Sequence, residues 1–360
     1  MRALHLGDLL LAIPAFRGIR AAFPDAEITW IGLGWAENFA RRFRRYVDRL
    51  VQFPGYPGIL EVEYEPERTA AWLAEARAYG YDLAVQMHGS GRTTNAFVLD
   101  LHARATIGYY DPVVGPTPGL TVTAPYPDRL PEVRRNLGIL DLLGVPAQGE
   151  HLEFPLLPED EAAAGTLMRR HRLDDPRRGR EGPLVGMHVG ARPPARRWPP
   201  EHFAAVGDAL VREHGATVVL TGGPGVEVEI ADRVRALMRE PAVSVAGETT
   251  IPALGALMRR MDLYISNDTG PAHLASAVDV PSIRIFGPAD YRRWGPLDQV
   301  RHRMVRRGVW CSPCPYWECP FQDHACLRWV DPADVLAVAR ELLGDSAHER
   351  ALPAHPDLAA

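Results

Sequence analysis

Apolar, strand-like runs alternate with helical stretches twice along this chain, and a charged segment separates the two series. Such alternation builds parallel sheets, because joining two parallel strands takes a crossover long enough to hold a helix. In the first series, residues 28–33 (ITWIGL) and 83–87 (LAVQM) read as buried strands, and 8–23, 67–79 and 132–143 as helices. Pro14 should kink the first helix or sit in its first turns. Residues 158–182 read as a helix running into a Pro/Arg/Gly-rich linker. The second series has strand candidates at 184–189, 217–221, 243–246, 263–266 and 282–286, with helices near 201–214, 226–239, 252–260 and 271–278.

Two such series predict an α/β protein of two doubly wound, Rossmann-like domains that face each other. The expected division is a domain over 1–160, a linker over 161–182, a second domain over 183–345 and a flexible tail over 346–360. Ligands of such sheets bind at the carboxyl ends of the strands, so the loops there are where chemistry is sought. One feature is odd. Only residues 1–6 precede Gly7-Asp8, where a parallel sheet normally opens with a strand. Either that strand is very short or the natural chain starts upstream of Met1, and the second reading is favoured.

Composition excludes several functions. All 40 basic residues are Arg, so a lysine nucleophile, a Schiff base and a Walker lysine are ruled out. A net charge of −5 gives no global basic excess for nucleic acid. The apolar run 9–13 is too short to span a membrane, and no cleavable signal is visible. The expectation is a cytoplasmic protein. The run Arg41-Arg42-Phe43-Arg44-Arg45 reads first as a solvated helix face, with contact to anionic lipid or to a phosphorylated acceptor as the alternative.

Four loops stand where a strand hands over to a helix. Asp8, after Gly7, reads first as a helix N-cap and second as a general base. Arg192, Arg196 and Arg197 lie within six positions and suit a diphosphate clamp, with Trp198 to anchor the loop. In Ser266-Asn267-Asp268-Thr269-Gly270-Pro271-Ala272-His273, the N–H groups of Thr269 and Gly270 would open a helix toward an anion, with His273 one turn in. In Gly89-Ser90-Gly91-Arg92, the glycines allow close approach to a ligand and Arg92 suits an anionic group. Glu227, after a Gly-rich loop, reads equally as a ribose acceptor or a first-turn helix carboxylate.

The cysteines cluster as Cys311-x2-Cys314-x4-Cys319-x6-Cys326, with His324 between the last two. A structural Zn²⁺, paired disulfides and free thiols stay open. Because the cluster is far from the four loops in sequence, it reads as structural.

The segments at 7–32 (GDLLLAIPAFRGIRAAFPDAEITWIG), 188–203 (HVGAR…RRWPPEHF), 266–288 (SNDTGPAHLASAVDVPSIRIFGP) and the cysteine segment together resemble glycosyltransferase family 9, the ADP-heptose:lipopolysaccharide heptosyltransferases. The resemblance implies a GT-B fold with the acceptor on the first domain and the nucleotide sugar on the second. It implies an inverting transfer, without catalytic metal, of a sugar such as heptose from a donor such as ADP-heptose to a lipopolysaccharide-core-like glycan or glycolipid, with peripheral contact at the inner membrane face. Asp8 takes the role of base. Arg192, Arg196, Glu227, Asp268, Thr269, Gly270 and His273 take the donor, and Arg92 with Ser90 the acceptor side. The alternatives are a nucleotide-sugar epimerase of the same fold and a non-catalytic sugar-nucleotide-binding protein.

Overall fold

The computed structural model describes residues 1–173 and 182–351. The chain divides into two compact units, the first Met1–Pro155 and the second from Leu156 onward.

In the first unit every strand pair is parallel. β1 (Thr29–Gly32) pairs with β2 (Arg49–Gln52), and β3 (Leu83–Val85), β4 (Ala105–Tyr110) and β5 (Val122–Pro125) form a second ladder in that order. Residues 1–3 bridge the two ladders. The Arg2 N–H donates to Ile31 O at 3.0 Å, Met1 N donates to Val85 O at 2.7 Å, and the Met87 N–H donates to Met1 O at 3.0 Å. The segment that seemed too short for a strand therefore fills a strand's place, hydrogen-bonded on both edges. Ala3 joins Phe53, Phe97 and Val98 in the core beneath it.

The helix expected over 8–23 is two helices, Leu6–Leu10 and Ile13–Ala22. The break falls just before Pro14, which has no N–H to continue the ladder and sits in the second helix's first turn. Helix Glu132–Leu143 spans its expected range and ends on Gly144 at φ 69°, the left-handed position that glycine adopts without strain.

The second unit carries a six-stranded, all-parallel sheet. Its strands are β6 (Leu184–His188), β7 (Thr217–Thr221), β8 (Ala242–Ser244), β9 (Leu263–Asn267), β10 (Ser282–Phe286) and β11 (His302–Arg306), in the order 11-10-9-6-7-8. That is the doubly wound order, and it reverses between β6 and β9. Every residue of β6, β9 and β10 is buried, which explains their mostly apolar runs, with Arg284 the one charge among them.

Four strands escaped the sequence. β2, β5 and β11 are short edge strands with charged or exposed positions, and β4 carries Gly108. The expected linker is also corrected in part. Residues 161–170 belong to helix Pro158–Arg170, which packs on helix Ile251–Met258 within the second unit. Residues 174–181 lie outside the described residues. The helix beginning at Pro332 continues through Ala351, so the expected tail at 346–360 starts as helix, and the rest lies outside the described residues.

β11 brings a titratable group into this unit. His302 is buried, with Nδ1 2.9 Å from Ser282 Oγ. Burial, with Arg284 nearby, pushes its pKa down to about 4. The folded state then stays neutral where the unfolded chain, with a pKa near 6.5, takes up a proton. Stability should fall by about 1.4 kcal/mol per pH unit as pH drops from about 6.5 toward 4. Urea unfolding at pH 7 and pH 5 should therefore show the wild type losing about 2 kcal/mol more than His302→Gln. Equal losses in the two proteins would remove His302 from the acid response.

Candidate functional site

The order reversal between β6 and β9 sets the loops after these strands side by side. Asn267, the last residue of β9, fastens them together. Its Oδ1 accepts from the Trp198 N–H at 3.0 Å, and its Nδ2 donates to Val189 O at 3.2 Å and Gly190 O at 2.9 Å. Trp198 is fully buried and donates through Nε1 to Val330 O at 3.0 Å. The aromatic thus anchors the arginine loop, as its place beside the arginines suggests.

Asp268 follows and is buried between two guanidiniums. Arg196 Nη1 lies 3.5 Å from Oδ2 and Arg284 Nη1 lies 3.9 Å from Oδ1. Burial pushes the Asp268 carboxyl up, against the pull of both arginines, and pushes Arg284 down to about 10. Arg284 is therefore still a cation at neutral pH. Two positive charges against one negative leave this spot suited to an anion. Thr269 is the N-cap of helix Gly270–Ala277, and Pro271 sits in its first turn. The first N–H groups of that helix have no intrahelical carbonyl to meet. His273 is buried, and burial beside Arg284 and Arg196 holds its pKa well below the usual histidine value. It is a neutral imidazole that can donate one hydrogen bond.

The three arginines of the β6 loop do different things. Arg196 is 37% exposed and faces Asp268, whereas Arg197 Nε donates to Ala191 O at 2.8 Å and braces its own loop. The exposed Arg192 sits with its guanidinium 5.7 Å from the Trp317 ring. Glu227, second in helix Val226–Leu237, accepts from the Gly223 N–H at 2.6 Å and lies 3.6 Å from His188 Nε2. A Cβ on Gly190 would fall 2.3 Å from the Glu227 carboxyl carbon, so any side chain there would displace this carboxylate. Glu227 is thus both a first-turn carboxylate and a brace for the Gly-rich loop.

In the first unit Asp8 is the third residue of helix Leu6–Leu10, whose N-cap is His5. The N-cap reading of Asp8 is therefore wrong. The side chain is 21% exposed and lies 3.8 Å from the buried Arg2 guanidinium. Gly89 and Gly91 take positive φ, and a Cβ on Gly91 would strike Tyr109 O. This turn leaves Ser90 half-buried and Arg92 exposed. The run at 41–45 is not one solvated face. Arg42 is buried against Phe154, and Arg45 pairs with Glu153.

The cysteines are not remote from the loops after β6 and β10. The Ala195 N–H donates to Trp317 O at 3.1 Å, Ser312 Oγ donates to Gly287 O at 2.8 Å, and the Cys314 N–H donates to Pro288 O at 2.8 Å. Cys311, Cys314, Cys319 and Cys326 line one cavity of about 20 Å³ together with His324 and Ala195. Burial and the other three sulfurs push Cys326 up to about 11, which favours the thiol. Among the described residues, no three ligand side chains converge as a metal site.

Sequence reasoning missed Arg2, Arg284 and the tying role of Asn267. A signal existed for the first two, since each is a charge inside a segment otherwise suited to a buried strand.

The profile of glycosyltransferase family 9 (heptosyltransferase) matches residues 71–325. Lipopolysaccharide heptosyltransferase 3 of Escherichia coli is 27% identical over 365 residues, covering 94% of this chain and 97% of that protein. Lipooligosaccharide heptosyltransferase 2 of Campylobacter jejuni is 29% identical over 167 residues, 45% of this chain and 52% of that protein. The match thus spans about half the length of that relative. Among solved structures, E. coli ADP-heptose LPS heptosyltransferase II superposes with a TM-score of 0.72 at 20% identity, over 96% of this chain and 98% of that one. A family 9 glycosyltransferase from Veillonella parvula gives 0.74 at 23%, over 95% of each. These likenesses establish the GT-B fold class, a mixed α/β plan with parallel sheets. No helix among the described residues is long and apolar enough to cross a membrane.

Removing the Asn267 amide should leave the Trp198 N–H buried without its acceptor. Asn267→Ala is expected to cost about 1–3 kcal/mol in urea unfolding. Unchanged stability would show that the two loops hold their geometry without it.

Proposed function

The chain belongs to glycosyltransferase family 9, and on that footing we propose that it moves a heptose from ADP-heptose to a lipopolysaccharide-core-like glycan acceptor, with inversion and without a catalytic metal. The observation that carries this reading is the Asp268-Thr269-Gly270 turn, set between Arg196 and Arg284 at the head of a helix, where the sheet order reverses.

In this reaction the acceptor hydroxyl oxygen attacks the anomeric carbon as Asp8 takes its proton. The bond from that carbon to the phosphate oxygen breaks, and its electron pair leaves on the diphosphate. A single displacement inverts the configuration. Arg196, Arg284, the N–H groups at Thr269 and Gly270 and the neutral His273 stabilise the developing charge, which is the task Mg²⁺ performs in other transferases. Glu227, already holding the Gly-rich loop beside His188, suits the donor ribose, and Arg192 suits the outer phosphate. Exposed Arg92, with Ser90, suits an anionic group on the acceptor. A glycolipid acceptor would bring the first unit to an anionic membrane surface, where the exposed Arg41 and Arg44 are suited to headgroups.

The four cysteines and His324 line one small cavity and are the residues that would hold a structural zinc, which metal analysis of the purified protein tests.

Asp8→Asn should lower kcat by about 10²–10⁴ with ADP affinity unchanged, read by product formation and calorimetry. Near-normal turnover would remove Asp8 as base. Arg196→Ala should raise donor KM and lower kcat together, and unchanged donor kinetics would sink the phosphate clamp. An α- or β-linked product whose anomeric configuration matches that of the donor would overturn inversion.

A further inference from the structure

We infer that Arg2 is a positioning residue for Asp8, holding its main chain in place while leaving the carboxylate able to accept a proton. The inference rests on the reading of Asp8 as base. Arg2 is 2% exposed, and burying a guanidinium is tolerated only when its donors are met. Here they are met from three parts of the first unit. Nε donates to Asp8 O at 2.9 Å, Nη1 donates to Asn136 Oδ1 at 2.9 Å and also to Met87 O, and Nη2 donates to Glu132 Oε1 at 3.2 Å. The backbone of Arg2 is fixed too, through Ile31 O on one side and the Trp30 Nε1–H on the other. Asn136 extends the brace by donating to Leu11 O at 3.1 Å, in the break between the first two helices.

The distances separate two ways of holding an aspartate. A direct, bidentate arginine bridge would occupy the carboxylate and blunt it as a base. Arg2 instead grips the backbone carbonyl of Asp8, and its Nη2 stands 3.8 Å from Asp8 Oδ1, beyond hydrogen-bond reach. Glu132 is the reason. It lies nearer to Nη2, and its other oxygen faces Arg135 Nη1 at 3.8 Å. Glu132 therefore draws the guanidinium fork away from Asp8. Its own charge faces both Arg2 and Arg135.

The test is a double-mutant cycle on the full chain, with kcat, donor KM and ADP affinity read for each variant. Arg2→Met should lower kcat tenfold or more, with donor KM and ADP affinity within twofold of wild type. In the Asp8→Asn background the same change should lower the residual rate less than twofold, because its effect passes through the missing carboxylate. An equal loss in both backgrounds, or a normal kcat in Arg2→Met, overturns the inference. Glu132→Gln is the second variant and carries the test if Arg2→Met does not fold. Losing its counter-ion should let the guanidinium close on Asp8, so kcat should fall with donor KM unchanged; an unchanged kcat also overturns the inference. Normal turnover in Asp8→Asn itself would instead strike the underlying base assignment. A slow Asp8→Asn beside a normal Arg2→Met strikes only the role of Arg2.

Discussion

A buried guanidinium beside an aspartate recurs in both units, and the geometry of each candidate site follows from how that charge is compensated. In the second unit Arg284, on a fully buried strand, has its Nη1 near Asp268 and bonded to Trp294 O. In the first, Arg2 meets Asp8, Glu132, Asn136 and Met87. Desolvating such a cation costs several kcal/mol; Arg2 meets this with a partner for each of its three nitrogens, whereas the buried Nε of Arg284 has none. Compensation also grades the local charge. Asp268 offsets part of two arginines and leaves a surplus for an anion, whereas Glu132 takes the fork that would otherwise close on Asp8.

Topology supplies the rest of the arrangement in the second unit. The sheet order reverses between β6 and β9, so the arginine loop and the Asp-Thr-Gly turn emerge next to each other although about 70 residues separate them. Asn267 then ties loop to loop, and Trp198 fixes the arginine loop to the backbone near Val330. The cysteine segment braces the same region from another side through Ala195, Gly287 and Pro288. Sequence distance hid that contact. The segment is remote along the chain and adjacent in space, because β6 and β10 belong to one sheet.

Much of the fold was legible because strands buried on both faces announce themselves. The runs LVGMH, TVVLT and SIRIF were visible as strands, and helix Glu132–Leu143 was read at its observed bounds. Edge strands were not legible. β11, with Arg303 and Arg306 in five residues, and β2 are only partly buried and show no apolar run. Of the site, the loops were legible from glycine, proline and arginine placed between periodic elements. The division of labour among the arginines was not, since Arg196 and Arg197 are neighbours in sequence and differ only in what they reach.

The sequence by itself determined the α/β class, the two series of parallel strands and the loops that carry polar chemistry, because periodicity and turn residues act over a few positions. It also determined family membership, through the residues of those loops. Only the tertiary structure decided that residues 1–3 complete a sheet, that Asp8 lies inside a helix and not at its cap, and that Glu132 stands between Arg2 and the carboxylate. The first and the last depend on hydrogen bonds or ion pairs between residues tens to over a hundred positions apart, and the second on where the short first helix begins. No local pattern encodes such pairings; they exist only once the sheets have closed and the burial of one charge compels the presence of another.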